Sequence, residues 1–263
     1  MRGSTDPCGT GHTSTPHTLL PPNVSWVAEK LNYAGPYLEL RQACTGFANA
    51  LAIAAAMIAE DPNARVGVVG SENGSPFFDM RSEFATREQL INFVQMGDGA
   101  GAVLLGPNDG SDLATISDIF VGQVGVGMQP GIAIEGGGSG APYCEAGLPY
   151  FRHRARDVRK NGEKLILAGI EAVKSRGHTL GDFDWIIPHQ ANGHIAEIFS
   201  QHFPESRGDV FVTADRLGNL GSAAIWVSFD ELLRSQMLER GQRVLILGAE
   251  ASKYLYGGFI YTH

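Results

Sequence analysis

Cysteine is scarce in this chain, which has three among 263 residues, at Cys8, Cys44 and Cys144. Their number is odd and they lie far apart, so they do not form the disulfide framework of a small secreted domain. Cys8, His12 and His17 have neither a second cysteine pair nor the regular spacing of metal ligands. We therefore predict no metal site. The role of each cysteine has to be judged from the sequence around it.

The chain also lacks long apolar runs and polybasic tails. No continuous apolar segment is long enough to cross a bilayer, and the N-terminus has no apolar signal core. These features predict a soluble, cytoplasmic protein that does not insert into membranes. Asp and Glu outnumber Lys and Arg by 28 to 20, and the formal net charge of −8 argues against broad nucleic-acid binding. A local basic patch could still meet an acidic partner.

Apolar residues and glycine are abundant instead. Apolar side chains make up 43% of the sequence, enough for a sizeable core in one large domain or two small ones. The 34 glycines indicate many tight turns and close backbone contacts. The composition therefore favours a folded globular protein over a disordered one.

The segment that begins at Cys44 is the strongest single candidate for a functional element. Residues 47–59 are almost entirely apolar and contain no proline, which predicts a helix buried on all sides. A strand at residues 37–40 would lead into Cys44, after a helix at residues 24–31. A cysteine at a helix start lies near the positive end of the helix dipole, which favours the thiolate and a nucleophilic role. The alternative is a small, buried, unreactive cysteine.

The order of elements after Cys44 is repeated near the C-terminus. In each half an apolar helix is followed by a strand that reads Arg-Val, apolar residues, Gly, any residue and Glu, and then by a Gly-rich strand. The two patterned strands are residues 65–72 and 243–250. This duplication predicts an α/β fold of two related halves, residues 1–147 and 148–263, whose central helices pack together.

A Gly-rich connection and a basic segment lie between these repeats. Residues 121–147 lack the strand and helix context of a phosphate-binding loop, so we interpret them as a surface excursion that can wall a pocket. A helix is predicted from residue 150 to residue 176. Its basic residues at four-residue spacing would share one face, which is either solvated or docks an acidic partner. They are Arg152, Arg156, Lys160 and Lys164.

A second candidate site lies where a buried strand ends. An apolar run at residues 184–187 predicts the strand, and Pro188, His189 and Asn192 follow it. Ligands and catalytic groups collect at the ends of strands in α/β folds. Because a lone histidine there is often structural, its role depends on what else the fold brings to it.

Four motifs, in the same order, resemble those of β-ketoacyl-acyl-carrier-protein synthase III, a family of the thiolase superfamily. They are Ala-Cys-Thr-Gly-Phe at 43–47, Gly-Asp-Gly-Ala-Gly-Ala at 97–102, Pro-His-Gln-Ala-Asn at 188–192 and Asp-Arg-Leu-Gly-Asn at 215–219. The resemblance extends from about residue 13 to the C-terminus. It implies a thiolase-like fold in a layered αβαβα arrangement, with the first half incomplete at its N-terminus.

The resemblance implies a role for each residue of the site. Cys44 would be acylated by an acyl thioester, and His189 and Asn219 would bind the thioester carbonyl of a malonyl-carrier substrate. Donors fixed on that oxygen stabilise the enolate that decarboxylation forms. The backbone N–H groups of Cys44 and Ser252 would form the oxyanion hole of the acyl-enzyme. Leu19 matches the residue that enters the neighbouring subunit's acyl tunnel, which implies a homodimer.

The implied substrates are an acyl-CoA and malonyl-acyl carrier protein, with no cofactor other than the coenzyme A of the substrate. The residues predicted to bind coenzyme A or the carrier are Asn192, Arg152, Arg154, Arg156 and Arg159. Arg152 and Arg154 stand where the family usually has neutral residues beside the acyl tunnel. They would either bind phosphates or an acidic carrier, or pair with a carboxylate on the acyl donor.

The sequence departs from the family in two further places. Ala-Ser-Lys at residues 251–253 replaces the usual triple-glycine loop, and the family's opening strand and helix are absent before Cys44. The leading hypothesis is an enzyme of fatty acid or related polyketide-type biosynthesis that performs decarboxylative Claisen condensation. The alternatives are a non-condensing acyltransferase that acts on an alcohol or amine, and a non-catalytic partner subunit.

Overall fold

The computed structural model describes residues 21–75, 86–108, 110, 114–136 and 150–263. Its α-helices are α1 Asn23–Lys30, α2 Gly46–Glu60, α3 Arg87–Gln95, α4 Ala155–Lys174, α5 Ile195–His202, α6 Ala214–Leu217 and α7 Ala224–Arg234. Its strands are β1 Val66–Glu72, β2 Gly99–Leu105, β3 Thr115–Gln123, β4 Ile132–Glu135, β5 Tyr150–His153, β6 Trp185–Pro188, β7 Asp209–Val210, β8 Arg243–Glu250 and β9 Leu255–Thr262. Cys8, His12, His17, Leu19 and Cys144 lie outside the described residues.

The larger sheet of the described residues has five strands in the order β3-β9-β8-β6-β7. β6 runs parallel to β7 and β8, whereas β9 runs antiparallel to β8 and β3. The side chains of β8 alternate, because Val244 and Ile246 join one apolar cluster and Leu245 and Leu247 join another. A strand covered on both faces needs a continuous apolar run. The predicted buried strand at residues 243–250 is therefore confirmed.

Helices α2 and α7 lie between this sheet and a smaller one, in which β1 and β2 pair antiparallel. Phe47 of α2 meets Trp226 of α7 and Phe259 of β9 edge-on, with ring centroids 6.1 and 6.0 Å apart. Helix α4 covers the other face of the larger sheet through Ile170 and Val173. This succession of sheet, helix pair, sheet and helix is the layered architecture of a thiolase-like fold. The predicted packing of the central helices is confirmed.

Glycine lets the smaller sheet approach the start of α7. A Cβ on Gly70 would lie 2.5 Å from the carbonyl oxygen of Ser222 and 2.8 Å from Cδ1 of Trp226. Real Cβ atoms do not come so close to other heavy atoms, so only glycine fits at this point of β1 without movement. A Cβ on Gly67, on the same strand, would meet nothing within 4 Å.

Helix α2 differs from the sequence prediction because it is not buried on all sides. Phe47, Ala48 and Leu51 face the core, whereas Ile53 and Met57 are exposed. Among the described residues no element packs against the exposed side. Apolar composition predicted the helix correctly, but composition does not say on how many sides a helix has neighbours.

Two further predictions of local structure were wrong. Residues 37–40 are exposed and form no strand, because no described strand lies beside them to exchange backbone hydrogen bonds. The helix predicted from residue 150 begins at Ala155, since Tyr150–His153 pair antiparallel with β4 instead. Arg152 is consequently on a strand and does not share a helix face with Arg156.

Strand β3 connects the two parts of the molecule. It precedes residue 147, the boundary predicted between the halves, yet it pairs with β9 in the larger sheet. The sheets therefore divide between β2 and β3, while the boundary at residue 147 stays a prediction. β1 and β8, the two strands with the repeated sequence pattern, lie in different sheets, as expected for related halves.

No helix in the described ranges is both long and apolar enough to span a bilayer. The longest, α4, has 20 residues, but Arg156, Lys160 and Lys164 on it are exposed to solvent.

Candidate active site

His189 is held at the end of β6, beside β8. Its backbone N–H donates to the carbonyl of Leu247 at 2.7 Å, which continues the pairing of Pro188 with Leu247. The residue is 7% exposed. Burial lowers the pKa of the imidazole to about 4, and the negative charge of Glu250 offsets part of that effect. His189 is therefore neutral at pH 7, with one ring N–H that can donate and one nitrogen that can accept.

Gln190 connects the His189 segment to the segment that carries Asn219. Its Nε2 donates to the carbonyl of Pro188 at 2.8 Å, and its Oε1 accepts from the backbone N–H groups of Thr213 and Ala214 at 2.8 and 3.2 Å. These two N–H groups belong to the start of α6, which leads to Asn219. This role of Gln190 was not predicted from the sequence, because the motif at residues 188–192 gives no sign that the glutamine acts differently from the residues beside it.

Asn219 is fixed through both its backbone and its side chain. The backbone N–H donates to the carbonyl of Gln95 at 2.7 Å, and the carbonyl accepts from Gly97 at 3.0 Å. Gly218 has a φ of 71°, which a side chain would strain. The side-chain Oδ1 accepts from the backbone N–H of Gly221 at 3.0 Å. Because the oxygen is occupied in this way, the amide NH₂ is the group oriented to donate elsewhere.

Cys44 lies in the turn before α2 and is buried, as are Ala43 and Thr45. Burial raises the pKa of the thiol well above its ordinary value, and the charges of Glu250 and Glu72 raise it further. These surroundings favour the protonated thiol, whereas the helix dipole alone predicted the thiolate. In addition, the N–H of Thr45 at the helix start already donates to the carboxylate of Glu250 at 3.0 Å.

Glu250 ends β8 and is 1% exposed. Besides the N–H of Thr45 it accepts from the Thr45 hydroxyl at 2.7 Å and from Gln42 Nε2 at 2.9 and 3.0 Å. The hydroxyl of Ser252 also donates to it. Its negative charge raises the pKa of both Cys44 and His189, so both residues lie within its electrostatic reach.

Glu72 occupies the matching position in the first half, at the end of β1. It is buried, its charge reaches Cys44, and its carboxylate lies against Gly221, to which Asn219 is hydrogen-bonded. The repeated strand pattern, in which both strands end in Gly, any residue and Glu, was the sequence signal for this pair. The two carboxylates thus link the three segments: the charge of Glu250 acts on Cys44 and His189, and Glu72 acts on Cys44 and lies against Gly221, the partner of Asn219.

The turn that carries Ser252 is covered by the Gly-rich connection. The carbonyl of Ala251 accepts from the N–H groups of Gly131 and Ile132 at 2.9 and 3.3 Å, and Lys253 Nζ donates to the carbonyl of Met128 at 2.6 Å. Part of the segment interpreted as a pocket wall therefore lies directly beside the site. Whether the Ser252 N–H serves as an oxyanion donor stays a prediction.

The predicted binding arginines are not equivalent. Arg152 forms a two-bond ion pair with Glu135, at 2.6 and 2.8 Å. Arg154, Arg156 and Arg159 are exposed at the start of α4. The ion pair occupies the guanidinium of Arg152, which weakens the idea that it receives a carboxylate from the acyl donor.

Asn192 lies in the turn after β6. Its Oδ1 accepts from the N–H of His194 at 2.9 Å, and the side chain is partly exposed. In the described part of the chain no three His, Cys, Asp or Glu side chains converge as a metal site would require.

Comparison with known proteins agrees with the fold. The family model for 3-oxoacyl-[acyl-carrier-protein] synthase III matches residues 38–123, and the model for the C-terminal part of the same family matches residues 173–261. The β-ketoacyl-[acyl-carrier-protein] synthase III of Xanthomonas oryzae pv. oryzae (strain MAFF 311018) is 29% identical over 255 residues. That alignment covers 93% of this chain and 73% of the relative.

Two solved structures are also similar. A tetronic acid condensing enzyme has a TM-score of 0.80 and 23% identity, over 94% of this chain and 75% of its own, which shows the fold alone. The priming β-ketosynthase of a polyketide biosynthetic pathway has a TM-score of 0.76 and 29% identity, over 93% and 71%. The two family models together match about two thirds of the chain. The chain belongs to the 3-oxoacyl-acyl-carrier-protein synthase III family, whose members are acyltransferases of the condensing-enzyme type with a thiolase-like fold.

Proposed function

We propose that the protein joins an acyl group from an acyl-CoA to malonyl-acyl carrier protein by decarboxylative Claisen condensation, in fatty acid or related polyketide-type biosynthesis. The observation that carries the proposal is a neutral, buried His189 near the same carboxylate as Cys44, with the Asn219 amide fixed to donate. A nucleophile and two hydrogen-bond donors are the groups that this reaction needs.

In the first half-reaction Cys44 accepts the acyl group. Because the thiol is protonated at pH 7, its proton has to leave as the sulfur attacks the thioester carbonyl, and neutral His189 can accept it. The C–S bond of the acyl-CoA breaks, and the departing coenzyme A thiolate takes the proton back. The backbone N–H groups of Cys44 and Ser252 would hold the negative oxygen of the tetrahedral intermediate.

In the second half-reaction the malonyl thioester loses CO₂. The electrons of the broken C–C bond form an enolate, whose oxygen would accept from the ring N–H of His189 and the NH₂ of Asn219. A donor preorganised for such an oxygen contributes about 3–4 kcal/mol. The enolate carbon then attacks the acyl-Cys44 carbonyl, a C–C bond forms, and Cys44 leaves as a thiolate that is reprotonated from solvent.

The substrate-binding surface is proposed to be the exposed basic group Arg154, Arg156 and Arg159, together with Asn192. Guanidinium groups bind the phosphates of coenzyme A or the acidic surface of a carrier protein. A cytoplasmic homodimer in which Leu19 reaches the neighbouring tunnel is part of the same proposal, as is the absence of a resident cofactor.

A second candidate is transfer of the acyl group from Cys44 to an alcohol or amine. The neutral imidazole of His189 favours it, because such a transfer needs a base to deprotonate the acceptor. Asn219 separates the two reactions, since a second donor on an enolate has no function when no enolate forms.

Peptide mass spectrometry after incubation with a series of acyl-CoAs tests the proposal. We expect one acyl mass on the peptide that contains Cys44, and none in Cys44→Ala, whose thermal unfolding should be close to that of the wild type. Addition of malonyl-acyl carrier protein should then release CO₂ and a β-ketoacyl carrier. An acyl mass that persists in Cys44→Ala would disprove the nucleophile, and acyl transfer to an alcohol or amine without CO₂ would favour the second candidate.

A further inference from the structure

We propose that Glu250 is a positioning residue for acyl transfer, which holds the segment around Cys44 against the strand that supports His189. This role rests on the proposed function. Glu250 hydrogen-bonds to residues on both sides of Cys44, to Gln42 and to Thr45.

The contacts of Glu250 enclose the nucleophile. Gln42, two residues before Cys44, donates to both carboxylate oxygens, and Thr45, the residue after it, donates through its backbone N–H and its hydroxyl. Residues on both sides of Cys44 are therefore attached to one carboxylate, Gln42 through its side chain and Thr45 through its backbone and its hydroxyl. Reacting groups that are misplaced by about 1 Å lose a large part of their rate, so such attachment bears directly on catalysis.

The same strand also sets the place of His189. Leu247 of β8 accepts the backbone N–H of His189, and Glu250 follows three residues later on that strand. Movement of β8 would shift both residues together. The strand and its terminal carboxylate thus fix the position of Cys44 relative to the imidazole.

A carboxylate suits this place better than an amide. All of its partners here are donors, and a buried charge is tolerated only where such donors surround it. A glutamine would offer one acceptor oxygen, and in the present arrangement its own NH₂ would face the NH₂ of Gln42, which donates to both carboxylate oxygens. Substitution by glutamine should therefore loosen the segment without changing its size.

The negative charge has a second consequence, which makes the role measurable. It raises the pKa of the Cys44 thiol, so removing it should make the free thiol more reactive although the enzyme becomes slower. A residue needed only for stability would not produce these opposite changes. Gln42→Leu removes the hydrogen bonds of Gln42 to both oxygens of Glu250 and leaves the charge of Glu250 in place, so it tests position separately from charge.

The test compares Glu250→Gln and Gln42→Leu with the wild type, using Glu171→Gln, an exposed glutamate on α4, as a matched control. In Glu250→Gln we expect kcat of Cys44 acylation to fall roughly tenfold or more, as for lost hydrogen bonds to a charged group. The pH midpoint of Cys44 alkylation by iodoacetamide should shift to lower pH, because the charge of Glu250 no longer raises the pKa of the thiol. Gln42→Leu should lower kcat with an unchanged alkylation profile, and the control should change neither.

Unchanged kcat in both Glu250→Gln and Gln42→Leu would overturn the positioning role, as would an unchanged alkylation profile in a folded Glu250→Gln. If Glu250→Gln does not fold, the kcat of Gln42→Leu alone tests the positioning role. The Gln42 side chain is partly exposed, and this substitution leaves the charge of Glu250 in place. If the wild type is not acylated by any acyl-CoA, the proposed function fails, and the positioning role fails with it. The alkylation profiles then still report whether Glu250 controls the thiol, so the two failures can be told apart.

Discussion

At the scale of single residues, His189 should make stability depend on pH. Burial lowers its pKa in the folded protein to about 4, below the ordinary value of 6.5 for histidine. Between these values the unfolded chain binds a proton that the folded protein excludes, so stability is lost as pH falls from 6.5 towards 4. The expected loss is about 3 kcal/mol in the free energy of unfolding.

Urea denaturation at pH 7 and pH 4.5 measures this effect. Other groups also titrate in the interval, so the informative quantity is the difference between the wild type and His189→Gln, which has no ionisable group at the site. We expect the variant to lose less stability on acidification. Equal losses in the two proteins would mean that His189 is not buried as a neutral imidazole.

Residues recognisable by motif were predicted from the sequence, and residues defined by contacts were not. Cys44, His189 and Asn219 stand in motifs with fixed neighbours. They could therefore be proposed as site residues from the sequence alone. Glu250 and Gln190 act through hydrogen bonds to residues far away in sequence, Thr45 and Thr213. A glutamate at the end of a strand is usually solvated, and only the fold shows that this one is buried.

At the scale of secondary structure elements, the approach of β1 to α7 gives a matched pair of substitutions. Gly70→Ala places a methyl group against the backbone of Ser222 and the ring of Trp226, whereas Gly67→Ala on the same strand meets open space. Overpacking in a core costs about 1–3 kcal/mol, so Gly70→Ala should be destabilised by that amount. Gly67→Ala should be neutral or slightly stabilising, because alanine reduces the entropy of the unfolded chain.

Thermal or urea unfolding of the two variants checks the prediction, with acylation of Cys44 as a second readout. If both alanines cost the same, the close contact between the smaller sheet and α7 is not as the structure has it.

The elements also show where sequence patterns stop being informative. β8 was predictable because both its faces are covered, so residues 244–247 form a continuous apolar run. The wrong strand at residues 37–40 and the missed strand Tyr150–His153 have the same cause, since a strand exists only where a neighbour completes its hydrogen bonds. The sequence does not name that neighbour.

At the scale of the whole molecule, the exposed arginines of α4 stand out against a net charge of −8. Reversing the charge of one of them, in Arg156→Glu, should raise KM for malonyl-acyl carrier protein and leave kcat nearly unchanged. The arginine would attract the acidic carrier protein but would take no part in the chemical step. The effect should shrink at high salt.

Steady-state kinetics at two ionic strengths measures this rise in KM and its dependence on salt. Arg207→Glu, an exposed arginine outside α4, changes the net charge by the same amount and serves as the control. An equal rise of KM in both variants would show a general charge effect and no carrier site on α4.

The global architecture followed from the duplication. Two copies of the pattern helix, strand and Gly-rich strand predicted related halves with central helices in contact, and Phe47 against Trp226 is that contact. The point where the sheets divide did not follow, because β3 pairs with β9, a strand more than a hundred residues later in the chain. Pairing over such a distance leaves no local signal.

The central claim is a division of labour between Cys44, which carries the acyl group, and the pair His189 and Asn219, which drives decarboxylation. The most direct measurement is a single-turnover chase: acyl-Cys44 enzyme is mixed with malonyl-acyl carrier protein, and the acyl mass on the Cys44 peptide is followed with time. In the wild type the mass should disappear as CO₂ is released. In Asn219→Ala the acyl mass should form normally and then persist, about a hundredfold or more longer, because one enolate donor is missing. Loss of the acyl mass at the wild-type rate in Asn219→Ala, with CO₂ released, would contradict the account.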